Sequence, residues 1–378
     1  MIIAQAIKDR ASDIHIIPTK DELKILYRID GILHEVVKLP LGVHNALISR
    51  IKVMAGMNIA EKRRPQDGQF SMRVDSRDVN FRVATIETNH GEMMVLRVLD
   101  KSISVLDISE LGFQPGALKA YEEVLRSPYG MILVSGPTGS GKTTTLYASL
   151  NKLVGKGKNI MTIEDPVEYQ FEGVNQIQVN RQAGITFSTG LRAIMRLDPD
   201  IILVGEIRDA ETADIAVQAA LTGHLVLTSI HASDSASAII RLIDLGVEPF
   251  LATSAVICSL SQRLVRKVCP YCKTLTKVGP DEAMAYKKEM GEERDEFYVG
   301  RGCNFCSQTG FAGRIGVFEV MVINEKIRSL ILKGASSSEI KDAAVKDGMI
   351  TMRRDGMMKA RDGITTPKEV LRNVFIVG

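Results

Sequence analysis

The recurrence of apolar residues divides the chain into two kinds of stretch. Over residues 12–100 apolar and polar positions mostly alternate, as in Leu23, Ile25, Tyr27 and Ile29, the pattern of strands with one buried face. Asp30-Gly31 supplies a hairpin-type turn, and Phe70, Met72 and Val74 alternate until the polar residues 75–78 turn the chain into Val79, Phe81 and Val83. Helical spacing interrupts the strands at 42–57, with Ala46, Leu47, Ile51 and Met54 on one stripe. Residues 1–105 therefore read as a small α+β domain.

The periodicity breaks down over 101–113, a stretch containing Ser, Asp and Gly that reads as a linker. A helix is predicted over 116–126, stopping before Pro128. Short continuous apolar runs then alternate with helical patterns: strands at 131–135, 160–163, 201–205 and 225–229, helices at 142–154, 189–196 and 210–221. Such runs belong to a parallel α/β sheet covered by helices on both faces, here spanning 106–260. Paired cysteines among charged residues mark a further subdomain, 261–320. Short helices follow over 321–378, with starts at Ser336/Glu339 and Thr366/Pro367/Glu369 and a stop at Gly348.

Composition narrows the possibilities. With 378 residues, 45% hydrophobic, the chain is too long for one core and ordinary enough to fold as two or three domains. Lys and Arg number 48 against 45 Asp and Glu, and the net +3 is too weak a field for a nucleic-acid-binding protein. No apolar run approaches the roughly 18 residues of a membrane span, and the N-terminus lacks an export signal. A reducing, cytoplasmic setting without membrane insertion is expected. In that setting cysteine pairs indicate metal rather than disulfides.

Gly136-Pro137-Thr138-Gly139-Ser140-Gly141-Lys142-Thr143 matches G-x-x-x-x-G-K-[ST], directly after a buried strand and opening a helix. The glycines let backbone N–H groups curl around an anion, Lys142 supplies a charge for the β/γ-phosphates, and Thr143 is the expected Mg²⁺ ligand. Together with Thr144 these residues are the expected ATP-binding set. Phosphoryl transfer also needs carboxylates at neighbouring strand ends. Glu206 after 201–205 and Glu164-Asp165-Pro166 after 160–163 are so placed, although strand-end acids also serve as helix caps. Cys269-Pro-Tyr-Cys272 and Cys303-Asn-Phe-Cys306 offer four thiolates for a closed, structural Zn²⁺ site, a redox pair being the alternative. Cys258 reads as a small buried residue.

With these residues in view, the chain resembles the secretion ATPases that power type IV pilus assembly and type II secretion. The resemblance rests on the phosphate loop, the acidic box Ile163-Glu-Asp-Pro-Val-Glu168, the stretch Asp198-Pro-Asp-Ile-Ile-Leu-Val-Gly-Glu-Ile-Arg208, and a histidine box from Leu221-Thr-Gly-His224 through His231. The N-terminal stretches Ala11-Ser-Asp-Ile-His15, Tyr27-Arg-Ile-Asp-Gly31 and Arg64-Pro-Gln-Asp-Gly68 resemble the family's PAS-like domain. The resemblance implies a RecA-like P-loop core, a tetracysteine zinc subdomain and a small C-terminal helical region. It implies that Glu164 activates or positions the attacking water, that Glu206 organises Mg²⁺ through water, and that Arg82 and Arg97 reach the phosphates from the N-terminal domain. Arg192 and Arg196 match functionally needed arginines, and His224 and His231 match nucleotide-state sensors. On residue type alone the arginines also fit a solvated strand face, and the histidines fit polar strand ends.

Further implications are a homohexamer, a cytoplasmic place on an inner-membrane platform protein, and, from the cysteines, the assembly or secretion branch rather than the retraction motors. Family members commonly carry another N-terminal domain, so the chain is expected to be part of a longer protein. A RecA-like nucleic-acid translocase and a nucleotide-gated scaffold without turnover are the alternatives, disfavoured respectively by the net charge and by the intact Glu164 and Glu206.

Overall fold

The computed structural model describes residues 1–74, 77–100, 106–155 and 157–374, and the chain forms two compact units, Met1–Ser104 and Val105–Gly378. Residues 75–76 of the expected turn, 101–105 of the expected linker, and with them the 105/106 boundary, lie outside the described residues.

The first unit contains α1 (Ile2–Lys8), β1 (Ala11–Pro18), β2 (Glu22–Ile29), β3 (Ile32–Pro40), α2 (His44–Met54), β4 (Gln66–Val74), β5 (Arg77–Thr88) and β6 (Gly91–Asp100). Its strands form an antiparallel sheet in the order β3-β2-β1-β6-β5-β4. The period-two residues Leu23, Ile25, Tyr27, Val79, Phe81 and Val83 fill one face of it, against Ile48 and Ile51 of α2. The helix presents the expected stripe only in part: Ile51 is buried and Leu47 and Met54 are half-buried, but Ala46 is exposed and Lys52 is buried in its place. Lys52 rotates inward because it has an acid to meet. Its Nζ lies 2.5 Å from Glu92 Oε1 and donates to Glu61 O at 2.7 Å, while Thr85 Oγ1 also donates to Glu92. Apolar counting alone misplaces a helix face that carries a paired charge.

The second unit begins with α3 (Pro115–Leu125) and β7 (Gly130–Ser135), then α4 (Lys142–Leu153), β8 (Ile160–Glu164), β9 (Asn175–Gln178), α5 (Phe187–Ile194), β10 (Ile201–Val204), α6 (Ala210–Leu221) and β11 (Leu225–Ile230). It continues through α7 (Ser235–Asp244), α8 (Pro249–Ala255), β12 (Val256–Val268), β13 (Lys273–Lys277), α9 (Pro280–Met290), β14 (Glu296–Gly300) and β15 (Phe311–Val322), and closes with α10 (Glu325–Leu332), α11 (Ser337–Lys346), α12 (Met352–Arg361) and α13 (Pro367–Asn373). The main sheet runs β15-β12-β7-β11-β10-β8-β9. All its neighbours are parallel except β12 with β15. Met131 and Leu133 of β7 enter one core and Ile132 and Val134 another, so each face is sealed by its own helices. This accounts for strands without polar alternation.

Three local features differ from the sequence expectation. The described end of the presumed linker is folded: Asp107 caps a 3₁₀ turn, Ile108 and Leu111 are buried, and Phe113 stacks between Tyr121 and Phe318. Helix α5 starts earlier than 189 because Thr186 caps it, accepting from Thr189 N. Finally, β12 and β15 are strands of the main sheet that run through the 260/261 and 320/321 boundaries, and the cysteine-bearing segment is inserted between them. The caps at Ser336 and Thr366 form where the motifs place them, and Gly348 has a positive φ of 99°.

Candidate functional site

Because β7, β8, β10 and β11 are parallel, whatever follows each strand gathers along one edge of the sheet. The loop after β7 wraps back on itself. Gly136 and Gly141 hold φ of 147° and 90°, and a Cβ on Gly136 would lie 2.5 Å from Ser140 Oγ and 2.6 Å from Gln262 O. Only glycine fits there. Pro137, Thr138, Gly139, Thr143 and Thr144 are exposed, leaving the loop's outer surface and the Thr143 hydroxyl open to a ligand. Lys142 Nζ donates to the carbonyls of Gly136 and Pro137 at 2.8 and 3.2 Å. Its partners are neutral. Burial lowers its pKa, the charge of Glu206 opposes that shift and the charge of Arg263 adds to it.

Glu206 sits two residues beyond β10, on a turn pinned to β11 by Ser229 Oγ donating to Gly205 O at 2.7 Å and by Ile207 N donating to Ser229 O at 3.0 Å. Arg208 lies 2.5 Å from Glu206 Oε1, and His231 Nε2 lies 3.6 Å from Oε2. Lys142, Glu206, Arg208 and His231 thus form one electrostatic group at the sheet edge.

Glu164 ends β8, separated from β7 by β10 and β11 and hence by about 14 Å of sheet at roughly 4.8 Å per strand. It is buried, and both carboxylate oxygens are engaged. Tyr147 donates to Oε2, and Thr162 and Gln176 donate to Oε1 at 2.6 and 3.2 Å. Tyr147 belongs to α4, the helix that Lys142 opens, and packs edge-on against Tyr169 and Phe171. Burial and the neighbouring Glu164 push the Tyr147 hydroxyl's pKa up, which keeps it a donor. Helix α4 therefore links the phosphate loop, through Lys142 at its first residue, to Glu164, through Tyr147.

The remaining residues fall elsewhere. His224 precedes β11, at the opposite end of the strand from His231, about 20 Å away by six residues of extended chain. There its Nδ1 bonds Ala219 O at 2.8 Å and its backbone carbonyl accepts from Gly130 N. Arg192 and Arg196 are exposed near the end of α5, and Arg192 pairs with Glu211 of α6 at 2.8 Å. Within the first unit, Arg82 and Arg97 are directly opposite on β5 and β6. Arg97 continues the row to Asp13 of β1, to which its Nε donates at 3.1 Å, and Arg28 of β2 lies 3.5 Å from the other oxygen of Asp13.

The four cysteines converge as expected from their spacing. Their sulfurs lie within 4.8 Å of one another, with Cys269–Cys303, Cys272–Cys306 and Cys303–Cys306 at 3.8, 3.9 and 3.7 Å. A tetrahedron with Zn–S of about 2.3 Å needs sulfurs about 3.75 Å apart. The backbone N–H groups of Cys303 and Gly310 donate to Cys306 Sγ at 3.2 and 3.3 Å, supporting a thiolate there. The donor set fits Zn²⁺.

Residues 1–372 match the family model described as type II/IV secretion system protein. The chain belongs to that family. Among family members, it is 48% identical over 371 residues to the type II secretion system protein HxcR of Pseudomonas aeruginosa, covering 98% of this chain and 75% of the relative. It is also 48% identical over 371 residues to the type IV pilus assembly ATPase PilB of Thermus thermophilus, covering 98% of this chain but 42% of that protein. Among solved structures, the pilus retraction motor PilT with bound ADP superposes with a TM-score of 0.64 at 26% identity, covering 98% of this chain and 95% of that one.

Sequence reasoning missed Tyr147, Gln262 and Arg263, and named Arg208 only as the end of a motif, without a role. Gln262-Arg263 leaves no distinct mark, because β12 also carries Ser259, Ser261 and the pair Arg266-Lys267; Tyr147 leaves none either, because its partner is set by the fold.

Proposed function

We propose that this chain is a Mg²⁺-dependent ATPase motor that works as a homohexamer and couples ATP hydrolysis to extension of a type IV pilus or of a type II secretion pseudopilus. The observation that carries the reading is the glycine-formed loop whose Lys142, donating to two carbonyls, shares the sheet edge with Glu206. The 48% identity to a pilus assembly ATPase and to a type II secretion protein supplies the biological class.

In this reading Lys142 leaves its two carbonyls for the β/γ-phosphates, and the backbone N–H groups at the start of α4 bind the same oxygens. Thr143 would ligate Mg²⁺ and Glu206 would organise it through water, and the ion would supply positive charge at the phosphates. His231 reports the charge state beside Glu206. Glu164 orients the attacking water once Tyr147 yields one of its oxygens. Arg82 and Arg97 bring positive charge to the γ-phosphate from the first unit, with Asp13 holding Arg97 in its rotamer. Arg192 and Arg196 serve as the functionally needed arginines of the family, and His224, with His231, as a nucleotide-state sensor. Zn²⁺ at the four cysteines is structural. The motor acts at the cytoplasmic face on an inner-membrane platform protein; among the described residues no helix is long and apolar enough to cross a membrane.

Steady-state phosphate release tests the assignment of roles. Glu206→Gln is expected to bind ATP and release no phosphate above background. Arg82→Ala is expected to bind within a few-fold of the parent and to hydrolyse about 10³-fold more slowly. Unchanged hydrolysis in Arg82→Ala removes that arginine from the site.

A further inference from the structure

Strand β12 is longer than its neighbour. It pairs with β7 only as far as Ser261 opposite Ser135, and its next residues, Gln262 and Arg263, overhang beneath the phosphate loop. Gln262 is 1% exposed, and its Nε2 donates to Ser140 O at 2.8 Å. Its backbone oxygen occupies the space that a Cβ on Gly136 would take, and its amide nitrogen lies 3.1 Å from where one on Gly141 would be. Gln262 is thus the floor on which the loop is cast. Two buried polar atoms at this junction, Gln262 Oε1 and Ser140 Oγ, have no hydrogen-bond partner among the described residues. Such atoms are costly to leave unmet, so the loop is set to rearrange on a ligand.

Arg263 faces the other way. Its guanidinium bridges two carbonyls, donating to Gln262 O and to Ser233 O at 2.9 Å each. Ser233 lies two residues beyond His231, so Arg263 ties the phosphate-loop floor to the loop carrying that histidine. The far side of this loop is fastened independently. Asp234 caps α7 and lies 3.3 Å from Lys341 of α11, and Lys341 lies 3.2 Å from buried Glu319, which accepts from Ser235 N and Oγ. Residues 231–235 are therefore held between the phosphate loop and the C-terminal helices.

We propose that Gln262 and Arg263 are positioning residues that convert nucleotide occupancy of the phosphate loop into ordering of residues 231–237, and through Asp234 and Lys341 into a signal to the C-terminal helices. The physical basis is charge. Lys142 and Arg263 carry like charges, and that of Arg263 acts on Lys142; a polyphosphate bound at the loop relieves this opposition, and the fork from Arg263 to Ser233 tightens. The proposal rests on the ATPase reading above, since it needs a nucleotide at Lys142.

The test is amide hydrogen exchange of the full chain with and without Mg²⁺ and a nonhydrolysable ATP analogue, alongside analogue binding and steady-state kinetics. The parent is expected to show at least fivefold slower exchange over 231–237 when the analogue binds. Arg263→Ala is expected to bind the analogue within about threefold, lose that protection, and show kcat down about tenfold with KM little changed. Gln262→Leu is expected to raise the analogue's Kd about tenfold, the equivalent of one hydrogen bond of about 1.4 kcal/mol. Should Arg263→Ala fail to fold, Arg263→Lys carries the test: it keeps the charge, loses the two-carbonyl fork, and is expected to retain less than half of the protection. Protection in either variant equal to the parent's, or an analogue-bound parent without protection, overturns this inference alone. A parent that binds no analogue overturns the ATPase reading and this inference with it.

Discussion

Lys142 and Lys52 are both withdrawn from solvent, yet their partners give them opposite uses. Among the described residues Lys142 Nζ donates to two carbonyls and pairs with no carboxylate, so its charge is available to a ligand. Lys52, 1% exposed, spends its charge on Glu92, 6% exposed, and has none to offer. Lys52→Met strands a carboxylate in the core of the first unit and is expected to cost about 3–5 kcal/mol in denaturant unfolding; a loss below about 1 kcal/mol would mean that Glu92 finds another partner. Tyr147→Phe removes one donor from buried Glu164, with an expected cost of about 1–3 kcal/mol to the second unit. Lys142 and Thr143 were legible from the glycine-rich loop that opens a helix, and Glu164 and Glu206 as acids at strand ends. The engagement of Glu164 was not, because its donors come from α4, β8 and β9 and meet only when the segment after Asp165 folds back. His224 shows the converse: neighbouring in sequence to a site residue's strand, it is carried to the strand's other end.

At the scale of elements, strands β12 and β15 organise the second unit. Composition changes at the cysteines, so the sequence suggests a boundary there, but pairing runs on through it and the cysteine segment is an insertion. Long-range antiparallel pairing leaves no local signal, whereas the helix caps at Ser336 and Thr366 depend on residues three apart and were readable. The joint to the last helix is electrostatic: Arg266 donates twice to Glu369, at 2.8 Å from each of Nε and Nη2. Burial alone would raise the pKa of Glu369, and the Arg266 bonds outweigh it and bring it below the usual carboxylate range. A depressed folded-state pKa gives stability that is present above the unfolded value and lost as pH falls through the folded one. Acidification below about pH 4.5 is therefore expected to release α13 first, and Glu369→Gln to remove that dependence; hydrogen exchange of 367–374 against pH reads it. For the cysteine segment, Cys269→Ser with Cys272→Ser is expected to abolish bound zinc and lower the melting temperature. A parent chain with no zinc by elemental analysis would contradict the closed site.

At the scale of the molecule, the two units have separate cores, one built on an antiparallel sheet and the other on a parallel one, and the switch from period-two to continuous apolar runs announced both. The family followed from ordered motifs, and the match over residues 1–372 shows it. Assembly is set by surfaces between copies, which no pattern within one chain displays; mass photometry in the presence of Mg²⁺ and ATP is expected to show six copies. The most direct measurement is phosphate release from Mg²⁺–ATP by the parent chain beside Lys142→Ala. Turnover by the parent that falls to background in Lys142→Ala is the result predicted for an ATPase built on this loop. A parent without turnover, or a variant that turns over as fast as the parent, would contradict it.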